Sequence, residues 1–253
     1  MFASYLILFL FLTSQAFASV AVVQHKHGNT NGAAATSISV TVTSTTAGNN
    51  LFFQLNIGGS PFLIGCTGNS SPVSYFIVAF KGTNSVNQSY SGYLLNIPSA
   101  ITSITCNFTA TDNQSSALEV WEVSGMNHPI EYSGEFNNTT SLTSNVITGQ
   151  GTTSSGVNGF MTAFVNGGAS ITANPQNGNE WSCGGDTETN SSSVAVFGFV
   201  SLCNPTVGTH TPQWSDSGAN SSSLQEQESS FSDVGGLTVN GKFTANKMVV
   251  NSN

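Results

Sequence analysis

The stretch Ser37-Ile38-Ser39-Val40-Thr41-Val42-Thr43 alternates without exception between hydroxyl and aliphatic side chains. Successive side chains on a strand point to opposite faces, so Ile38, Val40 and Val42 share one face and the four hydroxyl residues the other. Similar runs recur at NLFFQLNI, SYFIVAF, YSGYLLNI, ITCNFT, ALEVWEV, GFMTAFV and SVAVFGFV. Between them lie turn-forming clusters such as AGNN, IGGSP, VNGG, NPQNG and SDSGAN. No window of eleven residues carries the apolar stripe of a helix. Many short strands with such spacing predict an all-β fold, an antiparallel β-sandwich or jelly roll over residues 19–232 with a short extended tail at 233–253.

Individual strands carry finer expectations. In ITCNFT, alternation turns Ile104, Cys106 and Phe108 inward and Thr105, Asn107 and Thr109 outward. The run VAVFGFV is apolar on both faces, which suits a strand covered on both sides, with Gly198 permitting close approach. Trp121 sits in a run that is also apolar on both faces, so it is assigned to packing.

The first eighteen residues have the layout of a secretory leader. An apolar run from Leu6 to Leu12 precedes Ala16-Phe17-Ala18, and cleavage is expected after Ala18. The run is shorter than the ~20 residues of a bilayer span, and no later segment is long and apolar enough to cross. Membrane insertion is therefore not expected once the leader is removed. The expected location is extracellular, at a cell surface or on a virion surface.

Charged residues make up 6% of the chain, against an ordinary value of about 25%. Four lysines stand against twelve carboxylates, with no arginine and no basic run to neutralise phosphates, which excludes a nucleic-acid partner on electrostatic grounds. The cysteines are Cys66, Cys106, Cys183 and Cys203, an even set in an apparently exported chain, which favours two disulfides. Three pairings are open. Cys66 with Cys106 and Cys183 with Cys203 is preferred because each link stays within one half of the chain.

Eight asparagines satisfy the N-x-S/T rule: Asn69, Asn87, Asn107, Asn113, Asn137, Asn138, Asn190 and Asn220. A chain this rich in Asn, Ser and Thr also generates such tripeptides by composition. Asn137 and Asn138 overlap, so at most one of them is used. At Asn107 the alternation and the glycosylation rule agree, since both need the residue outside.

Few residues suggest chemistry. His25 and His27 stand at i, i+2 on one side of a strand, a spacing open to metal binding, but the pair reads first as an exposed strand end. Asp186, Glu188 and Asn190 place three oxygen donors at i, i+2, i+4, faintly like the start of a calcium loop without its glycine and closing glutamate. Calcium there is the sole cofactor the sequence offers. Glu119 and Glu122 flank Trp121, and Glu131 and Glu135 follow; paired carboxylates beside an aromatic are the chemistry of glycoside hydrolysis. Three residues apart on a strand, however, Glu119 and Glu122 face opposite ways, so Glu119 is expected in solvent and Glu122 satisfied at a strand end. His128 and His210 read as turn and strand-end residues, and the nucleophile, zinc and nucleotide motifs are missing. Enzymatic activity is the minority reading. Trp181 and Trp214 lie beside turns and are the better candidates for stacking on a sugar, although burial in the core is the first reading for both.

Four segments in order, TSTTAGNNLFFQLNIGG, LEVWEVSGMNHPIEYSG, SSSVAVFGFVSL and GTHTPQWSDSGANSSS, resemble a group of secreted and phage-associated β-sandwich domains of the concanavalin-like or jelly-roll kind. The likeness spans residues 20 to 225. It implies a surface-presented binding or structural module, often part of a longer adhesin or appendage. LIGCTGNSSPVSYF stands where many relatives carry an acidic loop, so a ligand site built on that loop is not expected here.

The tail repeats an apolar-x-apolar-Asn unit as LTVN, FTAN and MVVN, similar to the start of fibre and adhesin stems. Such a unit cannot bury its apolar side alone, so Leu237, Val239, Phe243 and Val249 are expected to pair with another copy or dock on the sandwich. The expected partners are further copies of the chain, a longer appendage, or carbohydrate. The function expected is adhesion, glycan binding or assembly, with a glycan-active hydrolase and a strand-exchanged filament subunit as alternatives.

Overall fold

The computed structural model describes residues 19–233, apart from 71, 84–86, 99, 113, 127–129, 140–145, 149–151, 155–157, 168–170, 173–180, 182, 184–186, 192–195 and 217–223, and gives several strands as backbone only. The described residues form nineteen strands and no α-helix. In chain order these are β1 (Ala21–Asn29), β2 (Ala35–Thr41), β3 (Asn50–Gly58), β4 (Leu63–Gly68), β5 (Ser74–Tyr75), β6 (Ile77–Thr83) and β7 (Asn87–Leu94). There follow β8 (Ser103–Asp112), β9 (Ala117–Ser124), β10 (Ile130–Thr139), β11 (Val146–Thr148), β12 (Thr152–Ser154) and β13 (Gly159–Gly167). The last are β14 (Ile171–Thr172), β15 (Thr187–Ser191), β16 (Val196–Cys203), β17 (Gly208–His210), β18 (Gln213–Asp216) and β19 (Leu224–Asp233).

All pairings are antiparallel. A central sheet, β1-β9-β3-β7-β6, lies between a front sheet, β2-β8-β4-β5, and a back sheet, β10-β19-β13-β16-β15. Two small sheets, β11-β18-β14 and β12-β17, adjoin the back sheet, β14 beside β16 and β12 beside β10 and β19. The expected sandwich is thus extended to three main layers.

The reason lies in β3, where every residue from Asn50 to Gly58 is buried. Leu51, Phe53, Leu55 and Ile57 face the front sheet and pack with Ile38, Val40, Ile104, Cys106 and Phe108. The alternate positions face back. Phe52 meets Phe160 and Phe231 with ring centroids 5.0 and 4.8 Å apart, and Trp121 meets Phe160 edge-on at 6.0 Å. Each such buried aromatic or aliphatic side chain contributes about 1.5–3 kcal/mol through removal from water. Further along the same interlayer the contacts turn polar: the Ser91 and Ser229 hydroxyls lie 2.6 Å apart, and Gln54 Nε2 donates to the Gln227 carbonyl at 3.0 Å.

Both edges of the front–central pair follow from local chemistry. On one side, β1 turns into β2 through Thr30-Asn31-Gly32-Ala33, closed by Ala33 N–H to Thr30 C=O at 2.9 Å. Both central residues have positive φ, 50° and 74°, which asparagine and glycine tolerate best. On the other side the chain switches sheets. The run expected as the single strand SYFIVAF divides at Phe76, which is buried edge-on against Phe53 at 5.6 Å, so that β5 belongs to the front sheet and β6 to the central one.

Candidate functional site

The carboxylates nearest to a catalytic reading are held by the fold. Register places Glu119 opposite Gln54 and Glu122 opposite Leu51, on opposite faces of the central sheet, as alternation requires. Glu122 is 1% exposed. It accepts from Gln24 Nε2 at 2.6 Å, Thr46 N–H at 2.8 Å and Asn49 Nδ2 at 2.6 Å, and so pins the β2–β3 connection to β9. A carboxylate surrounded by that many donors is a structural acceptor. The expectation that Glu119 faces solvent is corrected: it is fully buried, because the back sheet covers the side of β9 that sequence parity left outside, and it pairs with His25 Nε2. His25 is likewise not an exposed strand end, with a side chain 7% exposed and stacked on Trp121, whereas His27 is exposed. On the back sheet, Glu135 lies opposite Glu228 in the β10–β19 ladder, and Glu228 is 1% exposed, closed to a polymeric substrate. The side chains of Glu131 and Glu135 lie outside the described residues. His210 is buried, its Nε2 2.8 Å from the Thr206 carbonyl oxygen.

What the fold presents instead is the outer face of the front sheet. Inward positions Ile38, Val40, Cys66, Ile104, Cys106 and Phe108 fill the core, so their neighbours Ser37, Ser39, Thr67, Thr105 and Asn107 point away. Register aligns Ser39, Thr105, Thr67 and Tyr75 in one row across β2, β8, β4 and β5. At the usual strand spacing this row is roughly 14 Å long. The Ser39 and Thr105 hydroxyls are hydrogen-bonded at 2.8 Å. The row beside it is Ser37, Asn107 and Gly65. No Lys, His, Asp or Glu occupies either row. Tyr75, at the end of the first, is 72% exposed.

Tyr75 also joins this face to an apolar edge. Among the described residues, six of the eight exposed large apolar side chains, Phe62, Ile64, Val73, Tyr75, Ile77 and Val78, lie between positions 62 and 78, in or beside β4, β5 and β6. Lys81 lies over the Phe62 ring at 4.4 Å, which puts a cation of this edge on an aromatic face. β-Bulges between Leu63 and Gly65 and between Val78 and Phe80 interrupt both ladders there, a common guard against indiscriminate strand pairing.

Both disulfides form as preferred, Cys66 with Cys106 and Cys183 with Cys203, the first between residues directly opposite on β4 and β8. Trp181 is 2% exposed and therefore not available to a sugar; its neighbourhood is the buried Cys183, a tertiary fact no local turn signal reveals. The Trp214 side chain and Asp186 lie outside the described residues; Glu188 and Asn190 are described as backbone in β15. Among the described residues no three His, Cys, Asp or Glu side chains converge as metal ligands. Asn69 and Asn107 are exposed and Asn87 half-buried. Asn113 and Asn220 lie outside the described residues, Asn137 and Asn138 are described as backbone in β10, and the leader and the tail with Leu237, Val239, Phe243 and Val249 are also outside. Sequence reasoning missed Tyr75; its signal was an aromatic next to the inward Phe76 in a run with no polar outward partner.

No protein-family model matches the chain, and no curated protein matches it. Fold and surface define a class: an all-β, antiparallel, disulfide-bonded sheet protein with no described helix long and apolar enough to cross a membrane.

Proposed function

We propose that this is a secreted, non-enzymatic surface module that holds a neutral glycan on the outer face of the front sheet. The observation that carries the reading is the row Ser39, Thr105, Thr67 and Tyr75, with its exposed terminal ring. A pyranose offers one C–H-rich face and a rim of hydroxyls. Tyr75 supplies the ring on which the first stacks, and the hydroxyl and amide side chains exchange hydrogen bonds with the second. The lack of charge on the two rows favours a neutral polymer over an acidic one. Export is supported by the leader and the disulfides. In this reading the module acts at a cell, matrix or virion surface.

A second reading, self-association within an extracellular assembly or a longer appendage, is favoured by the run of exposed apolar side chains between Phe62 and Val78, since exposed apolar surface of that extent is the kind that interaction sites use. The mature chain is expected to be retained on neutral polysaccharides and to release no reducing ends from them. Release that disappears in Glu122→Gln would install the hydrolase in its place, and failure to bind any neutral polymer would leave the assembly reading. Elongated particles by negative stain, lost on removing residues 234–253, would favour assembly.

A further inference from the structure

We propose that the segment following β19 docks, through Leu237 and Val239, on the start of β6 of its own chain, over the exposed side chains of Ile77 and Val78. The inference takes up the apolar run that the second reading assigns to self-association, and names the chain's own tail as the occupant of its β6 part. It does not depend on the glycan face.

The geometry begins at the exit of β19. The Tyr93 and Phe231 rings meet edge-on with centroids 5.9 Å apart, and two residues back on both strands the Ser91 and Ser229 hydroxyls lie 2.6 Å apart. β7 and β19 therefore run one above the other in the same direction. Asp233 ends β19 two residues past Phe231, paired with Ile130 and accepting from Asn158 Nδ2 at 3.1 Å. In the central sheet, Ile77 lies opposite Tyr93 in the β6–β7 ladder. The way from Asp233 to Ile77 thus crosses one sheet spacing, one strand spacing and two residues of strand, together roughly 13 Å. Four extended residues span about the same distance, and Leu237 is the fourth residue past Asp233. Gly235 and Gly236 on that path accept whatever turn it needs.

The chemistry of the seat matches its occupant. Ile77 is 55% exposed and Val78 41%, at the start of the edge strand of the central sheet. The bulge between Val78 and Phe80, with Lys81 beyond it, confines a docked segment to that first part of β6. In extended chain Leu237 and Val239 share one face, so both turn to the seat together. Charge favours the contact as well. All twelve carboxylates and two of the four lysines precede residue 234, which gives −10 there, whereas Lys242 and Lys247 give +2 after it. A connection of three residues holds Leu237 near its own seat at an effective concentration on the order of millimolar, far above that of a second copy at micromolar protein.

The test is photo-crosslinking of the full mature chain carrying Leu237→benzoylphenylalanine, at low micromolar concentration, read by gel electrophoresis and peptide mapping. The expected product has the mass of one chain and joins position 237 to residues 73–83. Its yield should fall about fivefold or more in Ile77→Ser/Val78→Ser, whose near-ultraviolet circular dichroism should match the wild type because both side chains are exposed. It should stay unchanged in Val207→Ser, which alters an apolar side chain 76% exposed elsewhere on the surface. A product of two chains would overturn the proposal and return the seat to assembly, with the polysaccharide result unaffected. Single-chain products that map elsewhere, a yield that Ile77→Ser/Val78→Ser does not lower, or no product at all would overturn it too.

Discussion

The carboxylate of Glu122 accepts the backbone N–H of Thr46 at 2.8 Å across 76 residues of sequence, and through the same oxygen the amide of Asn49. The connection between β2 and β3 is therefore fastened to the middle of β9 rather than to its own strands. Glu122→Gln replaces one acceptor oxygen with a donor, facing groups that themselves donate. The variant should lose about 2 kcal/mol in denaturant unfolding, with faster amide exchange at Thr46, and should bind polysaccharide as the wild type does. A stable variant with lost turnover of a glycan would instead mark Glu122 as catalytic.

Gly92 is where the sheet switch at Phe76 presses hardest on the central sheet. A Cβ there would stand 2.1 Å from the Ile77 carbonyl oxygen and 2.5 Å from Phe53 Cε1, one of them backbone and the other a core ring. Gly92→Ala should destabilise by about 3 kcal/mol or more. Gly65→Ala, on the open face with nothing within 4 Å, should change stability by less than about 0.5 kcal/mol. Chemical denaturation of both variants checks the contrast.

Tyr90 gives the stability a pH dependence of definite sign. Burial raises its phenol above the usual 10.0, and the Leu63 N–H, donating to its oxygen at 3.2 Å, lowers it by less. A raised folded value means the folded state keeps its proton longer than the unfolded chain. Its contribution is complete below the unfolded value of 10.0 and is lost as pH rises through the folded one. Unfolding midpoints should show no Tyr90 contribution to their slope between about pH 7 and 9 and fall above about pH 10, and Tyr90→Phe should blunt that alkaline fall.

The legible part of the fold was whatever alternation reports. Ile38, Val40 and Val42, and Ile104, Cys106 and Phe108, face inward as their period requires, and Asn107 faces out. Parity also separated Glu119 from Glu122 correctly. It was silent on what covers the second face of a sheet, and for that reason Glu119 and His25 were misplaced into solvent. The double apolar character of NLFFQLNI carried the missing signal, since a strand with Phe52 and Phe53 on opposite sides needs cover on both. The candidate face was half legible. Its hydroxyl rows follow from alternation, but the place of Tyr75 at the end of one row depends on a sheet switch one residue later, which the aromatic pair Tyr75-Phe76 marks only as an outward ring beside an inward one. Trp181 follows the general burial habit of tryptophan and not its place beside a turn, since proximity to a turn in sequence says nothing about what packs over a side chain.

The most direct measurement is affinity electrophoresis of wild type and Tyr75→Ala through gels containing a neutral polysaccharide, such as xylan or galactomannan, with an acidic polymer as control. Tyr75 is 72% exposed, so its removal should leave the unfolding midpoint within about 0.5 kcal/mol of the wild type. The account predicts retardation of the wild type by the neutral polymer and not by the acidic one, with affinity at least tenfold weaker in Tyr75→Ala. Equal retardation of the two proteins, or none of the wild type, would contradict it.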